Sequence, residues 1–119
     1  MIIYENIIID KGNYVEECGS EMFITFGDNA PAELKDYCYI WKKKSINDEI
    51  KENDVLFINE EEFKILKVGS IASKNLNDLG HLTFNFSGDE DNLLPGTIII
   101  EKKNCPKLDI NTIIKIERR

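Results

Sequence analysis

The chain lacks most of what the common enzyme plans require. It has one histidine, His81, and its three cysteines, Cys18, Cys38 and Cys105, are widely spaced and form no Cys-x-x-Cys pair, so no histidine/cysteine cluster able to hold zinc is expected. There is no glycine-rich phosphate loop of the Walker or dinucleotide-binding kind and no Gly-x-Ser-x-Gly elbow, which excludes the usual nucleotide-dependent and α/β-hydrolase chemistries. Basic residues are outnumbered 15 to 22. At a net charge of −7, a non-specific nucleic-acid binder would approach polyphosphate against its own field. No apolar run nears the roughly 20 residues that span a bilayer. The N-terminal MIIYENIIID is interrupted by Glu5, Asn6 and Asp10 and has no basic n-region, so no signal peptide is expected. Widely spaced cysteines, odd in number, predict reduced thiols and a soluble cytoplasmic protein.

What the chain does have is a series of short β-branched runs separated by turn residues. At 119 residues it predicts one domain, 1–119, able to bury a core without disulfides or metal. Residues 2–9 read as a strand continuing past a turn at Lys11, Gly12 and Asn13, and NYVEECGSE, without a period, as an irregular connection before the strand MFITF, 22–26. GDNAPAELKDY has helix-start residues: Asp28 or Asn29 as cap, Pro31 in the first turn and Glu33 near the positive end of the dipole. They predict a short helix from Pro31 to Asp36. YCYIW, 37–41, is a strand ended by Lys42, Lys43 and Lys44, with Trp41 expected in core or edge packing and its indole N–H on a carbonyl.

Residues 50–71 predict a hairpin with a polar tip at Asn59 to Glu62. Consecutive carboxylates there are solvated together, unlike the opposed pair that acid–base catalysis needs. TIIIEKK and TIIKIER are the last strands. A turn–strand unit recurs at Asn53–Ile58 and Asn111–Ile116 and in part at Gly96–Ile100, at an irregular spacing that rules out a solenoid. Asp89 and Asp91 lack the ligand spacing of a calcium loop, so no metal is expected. The sum is an all-β fold: a small closed barrel or barrel-like sandwich of seven to nine short strands, with two brief helical insertions.

The stretch LKVGSIASKNLNDLGHLTFNF, 66–86, concentrates the chemistry. Gly69 and Ser70 are small enough for another backbone or a ligand to approach. Ser73 is a candidate cap for one or two helical turns with Leu76 and Leu79 on one face, and Gly80 suits the left-handed residue that stops them. His81 then lies at a joint before the strand LTFNF. A neutral imidazole can take and release a phosphoryl group or shuttle a proton, and a hydrogen-bonded structural histidine is the alternative at such a place.

Three blocks, MFITFGDNAPAELKDYCYI at 22–40, VGSIASKNLNDLGHLTFNFSG at 68–88 and LPGTI at 94–98, resemble the glucitol/sorbitol-specific enzyme IIA component of the bacterial phosphoenolpyruvate-dependent sugar phosphotransferase system. The resemblance covers nearly the whole chain. It implies a cytoplasmic all-β domain that takes a phosphoryl group from the histidine-containing phosphocarrier protein and hands it to membrane-bound, sugar-specific IIB/IIC components through a phosphohistidine, with no cofactor, no metal and no membrane insertion of its own. In the family the acceptor histidine directly follows the Tyr-Cys-aromatic-Ile segment, a place held here by Trp41. His81 matches a histidine of the family's Leu-Gly-His block and is the residue left to carry a phosphoryl group, with Asn77 or Asp78 near enough in sequence to orient it.

Three readings follow. One is an active phosphoryl carrier acting through His81. Another is a binding or regulatory protein that no longer transfers phosphate, with Trp41 filling the old acceptor place or offering a flat recognition face. The last is a small barrel with an unrelated ligand at Gly69–Ser70. An exposed strand edge would allow a homodimer.

Overall fold

The computed structural model describes the backbone of residues 1–119 and every side chain except that of Cys18, whose thiol therefore lies outside the described residues. Nine strands form one curled sheet: β1 Ile2–Ile7, β2 Asp10–Lys11, β3 Met22–Gly27, β4 Tyr39–Trp41, β5 Val55–Ile58, β6 Glu61–Val68, β7 Leu82–Asn85, β8 Thr97–Ile100 and β9 Ile113–Glu117. Two helices interrupt them, α1 Ala32–Lys35 and α2 Ala72–Leu79, and single 3-10 turns lie at Val15–Cys18 and Glu90–Asn92. The order across the sheet is β1-β9-β5-β6-β8-β7-β3-β4-β2. Pairings are antiparallel except β3 with β4 and β7 with β8.

The outermost strands of that order, β1 and β2, are consecutive in the chain, separated only by Ile8 and Ile9. Ile8 N donates to Thr112 O at one end of the sheet (3.0 Å), and Ile9 N donates to Ile40 O at the other (2.8 Å). One stretch of main chain thus serves both edges and curls the sheet around its core, which hides amides that an open sheet would expose.

Inside are Ile3, Leu56, Phe63, Ile65, Phe84, Ile98 and Ile116, with Trp41 and with Leu76 of α2. A smaller cluster, Phe26, Cys38 and Ile40 with Ile24 and Ala30, lies on the other face of β3 and β4. Period-two alternation explains the split: Phe23 and Thr25 face one way, Ile24 and Phe26 the other.

The recurring turns share one backbone hydrogen bond. Asp54 N donates to Lys51 O, Thr112 N to Asp109 O and Thr97 N to Leu94 O, each at 3.1 Å. In the two full copies the side chain answers back: Lys51 N donates to Asp54 Oδ2 and Asp109 N to Thr112 Oγ1. Asn53 and Asn111 sit at φ 73° and 78°, the left-handed region that asparagine tolerates better than most residues.

Several local expectations are corrected. The hairpin turns at Asn59 and Glu60 alone, with Glu61 and Glu62 already in β6, because Asn59 adopts φ 52° and permits a two-residue connection. Neither Asp28 nor Asn29 caps α1, which starts from Pro31 without a side-chain cap. Ser73 does not cap α2, whose cap position is Ile71; Ser73 Oγ instead accepts from Ile50 N at 2.9 Å. Leu79 is exposed, whereas Leu76 is buried. At Gly69 a Cβ would lie 2.3 Å from both Leu94 O and Pro95 O, so the close approach is made by the chain's own LPGT segment. That space is filled, and the unrelated-ligand reading loses its site.

Candidate functional site

Gly80 stops α2 in the left-handed conformation at φ 68°, its N–H bonding to Leu76 O at 3.0 Å, and the His81 N–H reaches Asn75 O at 3.2 Å. The chain then enters β7 with Leu82 buried, so alternation turns His81 to the outer face of the sheet. β7 pairs with β3 so that Thr25 faces Leu82, and the next position along sets Phe26 beside His81. Their rings stack with centroids 4.5 Å apart.

His81 Nδ1 lies 3.1 Å from Thr25 O. A carbonyl oxygen can only accept, so Nδ1 carries the hydrogen and donates it. The neutral ring is thereby held in the tautomer whose lone pair is on Nε2. That atom has no hydrogen-bond partner among the described residues and is not a buried orphan, so it is the free end of a half-buried ring. Asn77 and Asp78 do not orient it, contrary to the sequence expectation. Asn77 Oδ1 accepts from Ile46 N at 3.1 Å and its amide donates to Asp78. Asp78 is engaged by Lys74 one turn earlier at 2.6 Å; that lysine, then Asn77, hold its carboxyl below the ordinary range.

Trp41 is fully buried, with a relative exposure of 0%. Its Nε1 donates to Gly80 O at 2.9 Å and its ring packs against Tyr4 at 5.4 Å. The expected core packing with the indole N–H on a carbonyl is what the fold contains, and the alternative of a flat recognition face is overturned by that burial. Thr25 Oγ1 donates to the same Gly80 oxygen at 3.2 Å. A Cβ on Gly80 would stand 2.9 Å from Gly27 N, so backbones of α2 and β3 touch here without side chains between them.

Sequence reasoning singled out His81 and Trp41 but missed Thr25, Phe26 and Gly80 O as their partners. The lysines Lys42 to Lys44 behave as a solvated turn, with Lys44 Nζ on Glu5 O. Cys38 and Cys105 form no disulfide; burial, then Glu61, pushes the Cys105 thiol up to about 11.

The class defined by these features is a small all-β protein with one oriented imidazole and no nucleotide-binding loop. The chain belongs to the family described as the PTS system glucitol/sorbitol-specific IIA component, whose model matches residues 3–115. It is similar to the proteins named PTS system glucitol/sorbitol-specific EIIA component from Escherichia coli K12 and Shigella flexneri, at 27% identity in each case, over 98% of this chain and 95% of theirs. Among solved structures it is similar to a PTS system IIA component from Enterococcus faecalis V583, with a TM-score of 0.85 and 28% identity, over 97% of this chain and all of that one. No helix among the described residues is long and apolar enough to cross a membrane.

Proposed function

We propose that this protein, acting as a single unit over residues 1–119, is a phosphoryl carrier whose acceptor is His81. The observation that carries the reading is the Nδ1–H bond to Thr25 O, which leaves the Nε2 lone pair free on the outer face of the sheet. In the transfer, Nε2 attacks the phosphorus of the phosphohistidine on the histidine-containing phosphocarrier protein. The donor's P–N bond breaks, its electron pair returns to the donor imidazole, and a P–Nε2 bond forms. Nδ1 keeps its proton, and Thr25 O stabilises the positive charge that develops on the ring. No general base is needed, and positioning does most of the work. The onward acceptors are the sugar-specific IIB/IIC components on the cytoplasmic side of the membrane, and glucitol is the sugar to test first.

A second reading keeps the surface and drops the transfer: the acceptor place implied by the family is occupied by buried Trp41, which cannot carry a phosphoryl group. One experiment separates the two. The purified protein and His81→Ala are incubated with phosphoenolpyruvate, enzyme I and the phosphocarrier protein, and intact masses are taken under alkaline conditions. An adduct of one phosphoryl group on the parent, absent from the variant, is expected. No adduct on either, with partners active on a control IIA component, selects the second reading and makes Trp41→His the next protein to assay.

A further inference from the structure

We infer that Trp41 is a positioning residue for His81, acting through the Gly80 carbonyl; the inference rests on the phosphoryl-carrier reading above. Gly80 O receives two buried donors, Trp41 Nε1 at 2.9 Å and Thr25 Oγ1 at 3.2 Å. The indole N–H is the dedicated donor, since the single Thr25 hydroxyl proton is shared with Leu82 O at 3.4 Å, and together they hold the plane of the Gly80–His81 peptide. That plane sets the direction in which the His81 side chain leaves the backbone, and so sets whether Nδ1 reaches Thr25 O at 3.1 Å.

The parts share one rigid frame. β3 and β4 are parallel neighbours with Thr25 opposite Tyr39 and Gly27 opposite Trp41, so the indole that holds Gly80 and the carbonyl that holds the imidazole ride on paired strands. The contact is close: a Cβ on Gly80 would stand 3.1 Å from Trp41 Nε1. Thr25 contributes twice, with its hydroxyl to Gly80 and its carbonyl to His81. Apolar filling alone would leave the indole N–H without a role. Here it reaches the residue next to the imidazole, 39 positions further along the chain. Tryptophan at 41 and an acceptor at 81 are therefore parts of one device.

The test uses the chain's having a single histidine, whose ring nitrogens give one set of signals in a 15N-labelled sample. Trp41→Phe keeps most of the apolar ring and removes the donor. In the parent the Nδ1–H tautomer is expected to dominate. In W41F the tautomers mix, and single-turnover transfer from the phosphorylated phosphocarrier slows about tenfold at saturating donor, with the half-saturating donor concentration unchanged. Thr25→Val, which removes the other donor to Gly80 O, is the second variant should W41F fold poorly, and it is expected to move both readouts the same way by less. A phosphorylated parent whose folded W41F and T25V variants keep the parent's tautomer and rate overturns the positioning role alone. A parent that takes no phosphoryl group from active partners overturns the carrier reading, and with it this inference.

Discussion

Gly80 shows how much one residue decides here. It supplies the left-handed stop of α2, admits the Gly27 backbone, and offers the oxygen that Trp41 and Thr25 hold. Alanine at this position would strain the backbone and press a methyl on Gly27 N at 2.9 Å. Gly80→Ala is therefore expected to cost about 2–3 kcal/mol in urea unfolding and to disturb the His81 ring signals, whereas Gly19→Ala, with nothing within 4 Å, should cost less. A cost no larger at Gly80 than at Gly19 would contradict the close packing described. The glycine was legible in sequence because a helix needs such a stop, and His81 because imidazole chemistry belongs to few residue types. Thr25 was not legible as the partner: it acts through its carbonyl, a group that every residue possesses. Asn77 and Asp78 were read as orienting groups because they are near in sequence, but their side chains are turned to Ile46 and Lys74.

Among the elements, the repeated turn before β5 and β9 is a local solution used twice. Its left-handed asparagines, Asn53 and Asn111, each precede a residue whose side chain accepts from the main chain three positions back. Asn111→Ala should destabilise by about 1 kcal/mol, since alanine resists positive φ, while Asn111→Gly should be close to neutral or slightly stabilising. Equilibrium urea denaturation of the two variants, read by circular dichroism, checks the order, and alanine equal to glycine would argue against the left-handed assignment. These strands were readable as strands because alternation and turn residues are local signals. The caps were not: α1 and α2 begin without side-chain caps, and Ser73 and Asn77 of α2 bind the loop at Ile50 and Ile46 instead. Tertiary contacts took side chains that local propensity would have used within the helix.

Over the whole molecule, the chain ends are fastened to each other and to the middle of the sequence. Met1 O accepts from Arg118 N at 2.8 Å, and the Arg118 guanidinium grips both oxygens of Asp54 at 3.0 and 3.1 Å while reaching Asp48 and Glu49 O. Asp54 has a side-chain exposure of 2%, so Arg118→Ala would leave a buried carboxylate without its cation. The variant is expected to unfold at a lower urea concentration than the parent because that carboxylate stays buried, and an unchanged midpoint would contradict the pairing. The acid side of the stability profile follows from Asp48, Asp78 and Asp109. Their carboxyls are held below the ordinary 3.8, Asp48 by the Glu49 N–H and then Arg118, Asp78 by Lys74, and Asp109 by the Ile110 N–H and then Lys11. Because the folded values are the lower ones, this stabilisation is complete above the ordinary value and is lost as pH falls below 3.8 through the folded values. Melting temperature should therefore be level with respect to these groups at neutral pH and fall below about pH 4, less steeply in Asp48→Asn; an unchanged slope in that variant would count against the Asp48 contribution. The sequence by itself determined the strand-rich composition, the turns before β5 and β9, the family and the one imidazole, because alternation, turn chemistry and residue type are carried by neighbours along the chain. Only the tertiary structure decided that β1 and β2 would join the two ends of the sheet, that Trp41 would be buried on Gly80, and that Nε2 would be the free nitrogen of His81. Those outcomes depend on main-chain groups brought together across long separations, and main-chain groups carry no residue-specific signal.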